Sequence, residues 1–224
     1  MRQRPATIVR QRGMSIAELL IGTAIGLFLV AGAAKLFGDH VVNNRRLILQ
    51  ARVNQDLRAA ADLVARDLRR AGYWQTASSG ATWPAQSNPY RAVTPIGAAS
   101  ASTATFSYSR NTENNIRDAS DEAGFQLSSG VLRMRSGSTA WQELTDAATL
   151  TVTEFSVTPV ITAVSLGHYC TPTCNAGAPG CPVVNVRRYD IVIKGRSVSD
   201  ASVIRQLNES VRVRNDEVPA PSCP

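Results

Sequence analysis

From Met14 to Leu36 the chain runs for 23 positions interrupted only by Ser15, Glu18, Thr23 and Lys35, and 16 consecutive residues, Leu19 to Ala34, carry no charge. As a helix this segment is roughly 34 Å long, enough to cross the hydrocarbon of a bilayer. It constrains everything else, because whatever globular part the chain has must be built from the residues that follow. Arg2, Arg4, Arg10 and Arg12 precede it with no acidic residue among them. The positive-inside bias therefore keeps the first 13 residues cytoplasmic and sends the C-terminal part outward.

Glu18 does not belong in such a segment by hydropathy. Left unpaired deep in lipid it costs roughly 2.5–3.5 kcal/mol. A cleaved secretory signal would also have a basic start and an apolar core, and Ala31-Gly32-Ala33-Ala34 has the small residues of a cleavage site. That reading leaves Glu18 without a purpose, as does a plain anchor.

Gly13, Met14 and Glu18, with the apolar run after them, resemble the class III signal of type IV prepilins and pseudopilins. The resemblance implies cleavage by prepilin peptidase on the cytoplasmic side, between Gly13 and Met14, and N-methylation of the new Met14 amine. Glu18 then becomes the fifth mature residue, an assembly carboxylate that pairs with the terminal amine of a neighbouring subunit so that two buried charges offset each other. Residues 1–13 are thus expected to be a leader, and 14–36 a retained transmembrane segment.

Beyond Lys35 the sequence turns polar without breaking. No proline occurs between Pro5 and Pro84 and no glycine between Gly38 and Gly72, so one helix is predicted over residues 14–71, roughly 87 Å of it. In its second half Leu49, Val53, Leu57, Ala60, Val64, Leu68 and Ala71 recur at spacings of three and four, while Arg52, Asp56, Arg58, Asp62, Arg66, Asp67 and Arg69 take the other faces. Arg69 and Arg70 suit the negative pole of the helix, and Gly72 suits a left-handed cap. Gly22 and Gly26 permit close helix approach in lipid and by themselves signify no more than that.

The remainder, 72–224, is predicted to be one head domain. Residues 76–102 read as an irregular surface excursion anchored by Trp83 and Tyr90. After it the period becomes two: a strand at Ala104–Ser109, a hairpin of Phe125–Leu127 and Val131–Arg135 around Ser128-Ser129-Gly130, and further strands at Thr139–Leu144, Leu150–Val160, Tyr189–Lys194 and Glu209–Arg214. The predicted fold is α+β and pilin-like: a long N-terminal helix, membrane-spanning in its front half and amphipathic in its back half, packed on a mostly antiparallel β-sheet head.

The net charge of +7 is partly a leader effect, since removing four arginines from 24 basic residues leaves 20 against 17 acids. A nucleic-acid partner is thereby disfavoured. Arg187-Arg188 with Arg212 and Arg214 is the remaining basic strip, and solvated strand faces account for it more simply.

Cys170, Cys174, Cys181 and Cys223 are even in number and fall on the side expected to face an oxidising compartment, so disulfides are expected, in any of three pairings. A zinc site with His168 fits no common spacing. Residues 168–182 read as a stapled surface loop. The stretch Asn111–Glu122, with Glu113, Asp118, Asp121 and Glu122, lacks the ordered spacing of a calcium loop and reads as solvated. No spacing supports a catalytic centre, a metal or a cofactor, so an enzyme is not expected.

Three stretches, Met14–Gly22, Ala65-Arg66-Asp67-Leu68-Arg69-Arg70-Ala71-Gly72-Tyr73-Trp74 and Val211-Arg212-Val213-Arg214-Asn215, together resemble PilW-type minor pilins of type IV pili. That resemblance implies a structural subunit of an initiating complex that primes assembly in the inner membrane and ends at the pilus tip. Its implied partners are other minor pilins, the major pilin, prepilin peptidase, the inner-membrane assembly machinery and a tip adhesin. The alternatives are a J-type minor pseudopilin of type II secretion and a signal-anchored periplasmic binding protein or enzyme.

Overall fold

The structure, a computed structural model, describes residues 13–75, 77, 88–96, 99–110, 116–218 and 223. The leader expected over 1–13, apart from Gly13, lies outside the described residues, as do Trp83 and Glu113. The chain divides into two compact units, Met1–Leu47 and Ile48–Pro224.

In the first unit the helix α1 (Ile16–Arg70) begins directly after Ser15, whose carbonyl accepts the Leu19 amide at 3.1 Å and whose Oγ accepts the Ala17 amide at 3.4 Å. A serine at this position satisfies amides that have no partner within the first turn. Ile16, Leu19, Leu20, Ile21, Leu27, Phe28, Leu29 and Val30 are all exposed. None of the most apolar window, of mean hydropathy 2.1, is buried in the protein, and the helix is long and apolar enough to cross a membrane. An apolar face exposed on every side is stable in lipid or among other helices, not in water.

The second unit is built on the amphipathic half of α1. Val53, Leu57, Ala60, Val64 and Leu68 of the helix and Ala71 just past it are buried and Leu49 is partly so, as the three-and-four spacing predicts, and Ala61 and Ala65 widen the stripe. Each buried Val or Leu contributes about 1.5–3 kcal/mol relative to exposure. Two antiparallel sheets cover this stripe. One is a five-stranded meander of β1 (Val93–Thr94), β2 (Thr103–Ser107), β3 (Glu122–Ser128), β4 (Val131–Ser136) and β5 (Gln142–Glu143), in that spatial order. The other is a three-stranded meander of β6 (Leu150–Ser165), β7 (Val183–Ser197) and β8 (Ile204–Arg212). Phe106, Phe125 and Leu132 of the first and Leu150, Val152, Phe155, Val157, Tyr189, Ile191 and Ile193 of the second share a single core with the helix.

The α+β architecture is therefore as predicted, with several local differences, among them β8, which runs Ile204–Arg212 where Glu209–Arg214 was expected. The strand expected at 139–144 shrinks to β5, the excursion at 76–102 contains β1, and β6 and β7 extend well past the predicted Val160 and Tyr189. The last difference arises because the two strands continue to pair beyond the core, with Ile161 opposite Arg187 and Ser165 opposite Val183, where burial no longer alternates.

α1 ends as its composition predicts, on Arg69 and Arg70, and Gly72 follows with φ of 73°. A side chain pays about 1–2 kcal/mol in that left-handed region, and a Cβ would also lie 3.2 Å from Nη2 of Arg187. Gly72→Ala is thus expected to destabilise the detergent-solubilised full chain by about 1–2 kcal/mol in thermal unfolding. Unchanged or increased stability would refute this account of the helix end.

Candidate functional site

Gly13, Met14 and Glu18 lie together at the start of α1. Among the described residues a Cβ on Gly13 would meet nothing within 4 Å. Met14 is 70% exposed. Ser15 and Glu18 have the spacing of a reciprocal cap, in which the glutamate would return a bond to the serine amide. Only the serine half forms. Among the described residues Glu18 has neither a hydrogen-bond nor an ion-pair partner, and it is exposed in a turn surrounded by apolar side chains. A carboxylate at a helix N-terminus is favoured by the backbone dipole, which does not replace a counter-charge in lipid.

The far end of the helix is tied into the head by the other two stretches singled out in the sequence. The Arg214 amide donates to the Arg69 carbonyl at 3.1 Å, and Nδ2 of Asn215 donates to the Ala71 carbonyl at 3.1 Å. Gly72 donates its amide to the Ser107 carbonyl at 2.9 Å and accepts from Nδ2 of Asn88 at 2.7 Å. Orphan carbonyls of the last turn are thereby satisfied by β8's continuation and by the β1 side of the head.

Arg187 organises this joint. It is 3% exposed, donates from Nη1 to the Arg91 carbonyl at 2.6 Å and from Nη2 to the Asn215 carbonyl at 2.9 Å, and has Glu217 at 3.9 Å. This corrects the basic strip expected of Arg187, Arg188, Arg212 and Arg214: Arg187 belongs neither to a strip nor to a solvated face. Arg188 and Arg212 pair with Asp190 at 3.4 Å and Asp216 at 2.9 Å, which leaves Arg214 as an exposed arginine whose backbone serves the joint. The sequence held a signal for this. Arg187 has the same parity as Tyr189, Ile191 and Ile193, the inward face of β7. Burial pushes the hydroxyl of neighbouring Tyr189 upward in pKa, with Arg187 opposing. On the helix, burial likewise raises Asp67, against the pull of Arg66, Arg70 and Arg110.

The stretch that was expected to be a solvated acidic loop is instead partly structural. Asp121 is buried, its carboxylate accepting the amides of Arg110 at 3.2 Å and Asp118 at 3.1 Å. Asp118 caps the short turn before β3, held below the usual carboxylate range by the Ser120 hydroxyl and then by the Ser120 amide. Glu122 pairs with Arg117 at 3.2 Å and closely with Arg135.

The four cysteines form Cys170–Cys223 and Cys174–Cys181, with Cα separations of 5.5 and 5.8 Å. No thiolate is left for a metal, which removes the His168 zinc alternative. The first bridge ties Cys223 to the early part of the β6–β7 connection, five residues past β6. The second closes a small loop against Gly167, where a Cβ would sit 2.0 Å from the Cys174 carbonyl oxygen.

A family model described as prepilin peptidase-dependent protein B matches residues 46–213, three quarters of the chain, from the back half of α1 through β8. The chain belongs to that family. No curated protein and no solved structure matches it. The match begins after the apolar segment, so membership of the prepilin peptidase-dependent protein B family and the Gly13–Glu18 motif are independent pieces of sequence pointing to one class of protein. It is a pilin-related protein, and its N-terminal helix fits single-pass anchoring.

Proposed function

We propose that this chain is a minor pilin of a type IV pilus, structural and non-catalytic, acting in the complex that primes assembly in the inner membrane and is carried to the pilus tip. Prepilin peptidase removes residues 1–13 and methylates the Met14 amine, the apolar helix stays in the membrane until it is extracted into the fibre, and the head lies in the periplasm. Other minor pilins and the major pilin are its packing partners, the inner-membrane machinery its assembler, and a tip adhesin its cargo.

The observation that carries this reading is Glu18: an acid without an internal partner, in the first turn of an exposed apolar helix. In a lone membrane anchor it is a pure cost. In a bundle of processed subunits the amine created at Met14 of one copy compensates the carboxylate of the next. Membership of a prepilin peptidase-dependent family supports the same reading.

The test is the mature N-terminus of membrane-extracted protein from cells with and without prepilin peptidase, read by mass spectrometry. A start at N-methylated Met14 is expected only when the peptidase is present. A start at Met1, or after Ala34, would overturn the proposal.

A further inference from the structure

From Phe155 to Val186 the chain contains no Asp, Glu, Lys or Arg; at its overall 18% charged content a run of these 32 residues would carry about six. This is twice the 16-residue uncharged run of the membrane segment, yet it lies in the head and is largely on the surface. It forms the distal part of the β6–β7 ribbon and the disulfide-closed connection between the two strands. Ile161, Thr162, Ala163 and Val164 are consecutively exposed, and Tyr169 at the tip is 85% exposed.

The backbone of β6 adds a direction to this surface. Val157 exchanges both of its main-chain bonds with Ala101, at 2.9 and 3.1 Å, on the side away from β7. By the alternation of an antiparallel ladder, residues 159, 161, 163 and 165 turn their main-chain groups to that same outer side. Position 159 is a proline, which has no amide to offer there. Ile161, Ala163 and Ser165 do have amides, and among the described residues nothing accepts them. The opposite edge of the sheet is different: β8 carries Arg205, Glu209 and Arg212, the charged residues with which a free edge is ordinarily protected from pairing. The outer edge of β6 from Ile161 to Ser165 has no such protection.

We propose that this edge is a docking strand: an uncharged, extended segment of another head domain in the same assembly adds to β6 antiparallel at Ile161–Ser165. Alternating amides and carbonyls recognise an extended main chain, and the neutral apolar flanks exclude a charged one, whose groups would be desolvated without partners. Ile161 and Val164 supply side-chain contact on the two faces of the ribbon, and Tyr169 extends it at the tip. Only the statement that the partner is a fellow subunit of a pilus rests on the function proposed above.

The test uses the full chain in cells that assemble the fibre, with a photo-crosslinking benzophenone amino acid at Val164 or, as a control, at Ile204 on β8. The expected result is an adduct from position 164, mapped by mass spectrometry to an uncharged strand of a different subunit, and none of that kind from 204. Ala163→Pro is expected to lower the adduct about tenfold or more by removing one outward amide. It leaves the β7 ladder intact, as the proline at 159 already does. Ile161→Lys places a charge on the edge without touching the backbone and is expected to act in the same direction. Mass mapping of Cys174–Cys181 and Cys170–Cys223 in both variants reports that the ribbon still folds, and if Ala163→Pro loses the bridges then Ile161→Lys alone decides. The proposal is overturned by absence of an adduct at 164, by an adduct insensitive to the folded variant, or by mapping to a charged segment, to this chain's own residues or to a second copy. N-terminal processing, measured in the same cells, is independent of these outcomes. A chain that is not cut at Gly13 yet yields the edge adduct refutes the pilus role and retains the docking strand.

Discussion

With Glu18→Ala as the only copy of the protein, removal of residues 1–13 is expected to proceed while incorporation into the fibre falls about a hundredfold, the equivalent of roughly 3 kcal/mol. The bond proposed to be cut follows Gly13, about one turn and a half away in sequence from the carboxylate, in space that no described side chain occupies. In the proposed assembly the variant leaves the Met14 amine of a neighbouring subunit buried without its counter-charge, and this unpaired cation is the origin of the loss. Glu18→Gln separates charge from shape, because it keeps the volume and most of the polarity. The same defect is expected from it. A plain membrane anchor predicts the opposite sign, since removing an uncompensated acid from lipid favours insertion. Quantifying the variant in sheared fibres against the membrane fraction therefore discriminates by direction as well as by size. Normal piliation with either variant would sink the pairing.

Arg187→Leu is expected to destabilise the head by about 3 kcal/mol, lowering its apparent Tm by roughly 6–12 °C in a unit of this size. The guanidinium bridges the Arg91 and Asn215 carbonyls, so its removal leaves two partly buried acceptors without their donor and leaves Glu217 with only its more exposed pair to Arg91 at 4.0 Å. Arg187→Lys is expected to recover little, because a single ammonium does not reproduce the fork that reaches both carbonyls. The neighbouring Arg188→Leu is the control. Its side chain is 53% exposed and its pair with Asp190 lies on the surface, so a change within about 0.5 kcal/mol is expected. Hydrogen exchange gives the local readout: the Gly72 amide, donated to Ser107, should exchange faster in Arg187→Leu and unchanged in Arg188→Leu. Equal effects of the two substitutions would show that Arg187 does not hold the joint.

The two arginines also show where a sequence can mislead. Adjacent in the chain and alike in chemistry, both read as solvated strand residues, yet strand alternation sends one to each face. Ile191 and Ile193 announced which face was inward, but an arginine on it has meaning only if carbonyls converge there. Those carbonyls come from Arg91, in the segment taken for an irregular excursion, and from Asn215, beyond the last strand. The acidic stretch misled in the same way. Asp121 and Glu122 looked like solvated carboxylates until the backbone amides of Arg110 and Asp118 were placed against the first and the guanidinium groups of Arg117 and Arg135 against the second.

The features that periodicity and hydropathy control were legible in the chain itself: the apolar segment and its misplaced acid, the stripe from Leu49 to Ala71, the glycine that ends the helix, the hairpin around Ser129-Gly130 and the even set of cysteines. Each depends on residues within a few turns or a few strand positions of one another, where backbone geometry dictates which side chains share a face. The tertiary structure alone decided the division of the strands into two sheets, the choice of Cys170–Cys223 and Cys174–Cys181 among three pairings, the burial of Arg187, and the unprotected outer edge of β6. Those outcomes depend on groups far apart in sequence, such as Asn215 and Ala71 at a separation of 144. Hydrogen-bond and disulfide geometry operates over a few ångströms, so their meeting is set only when the whole core has packed.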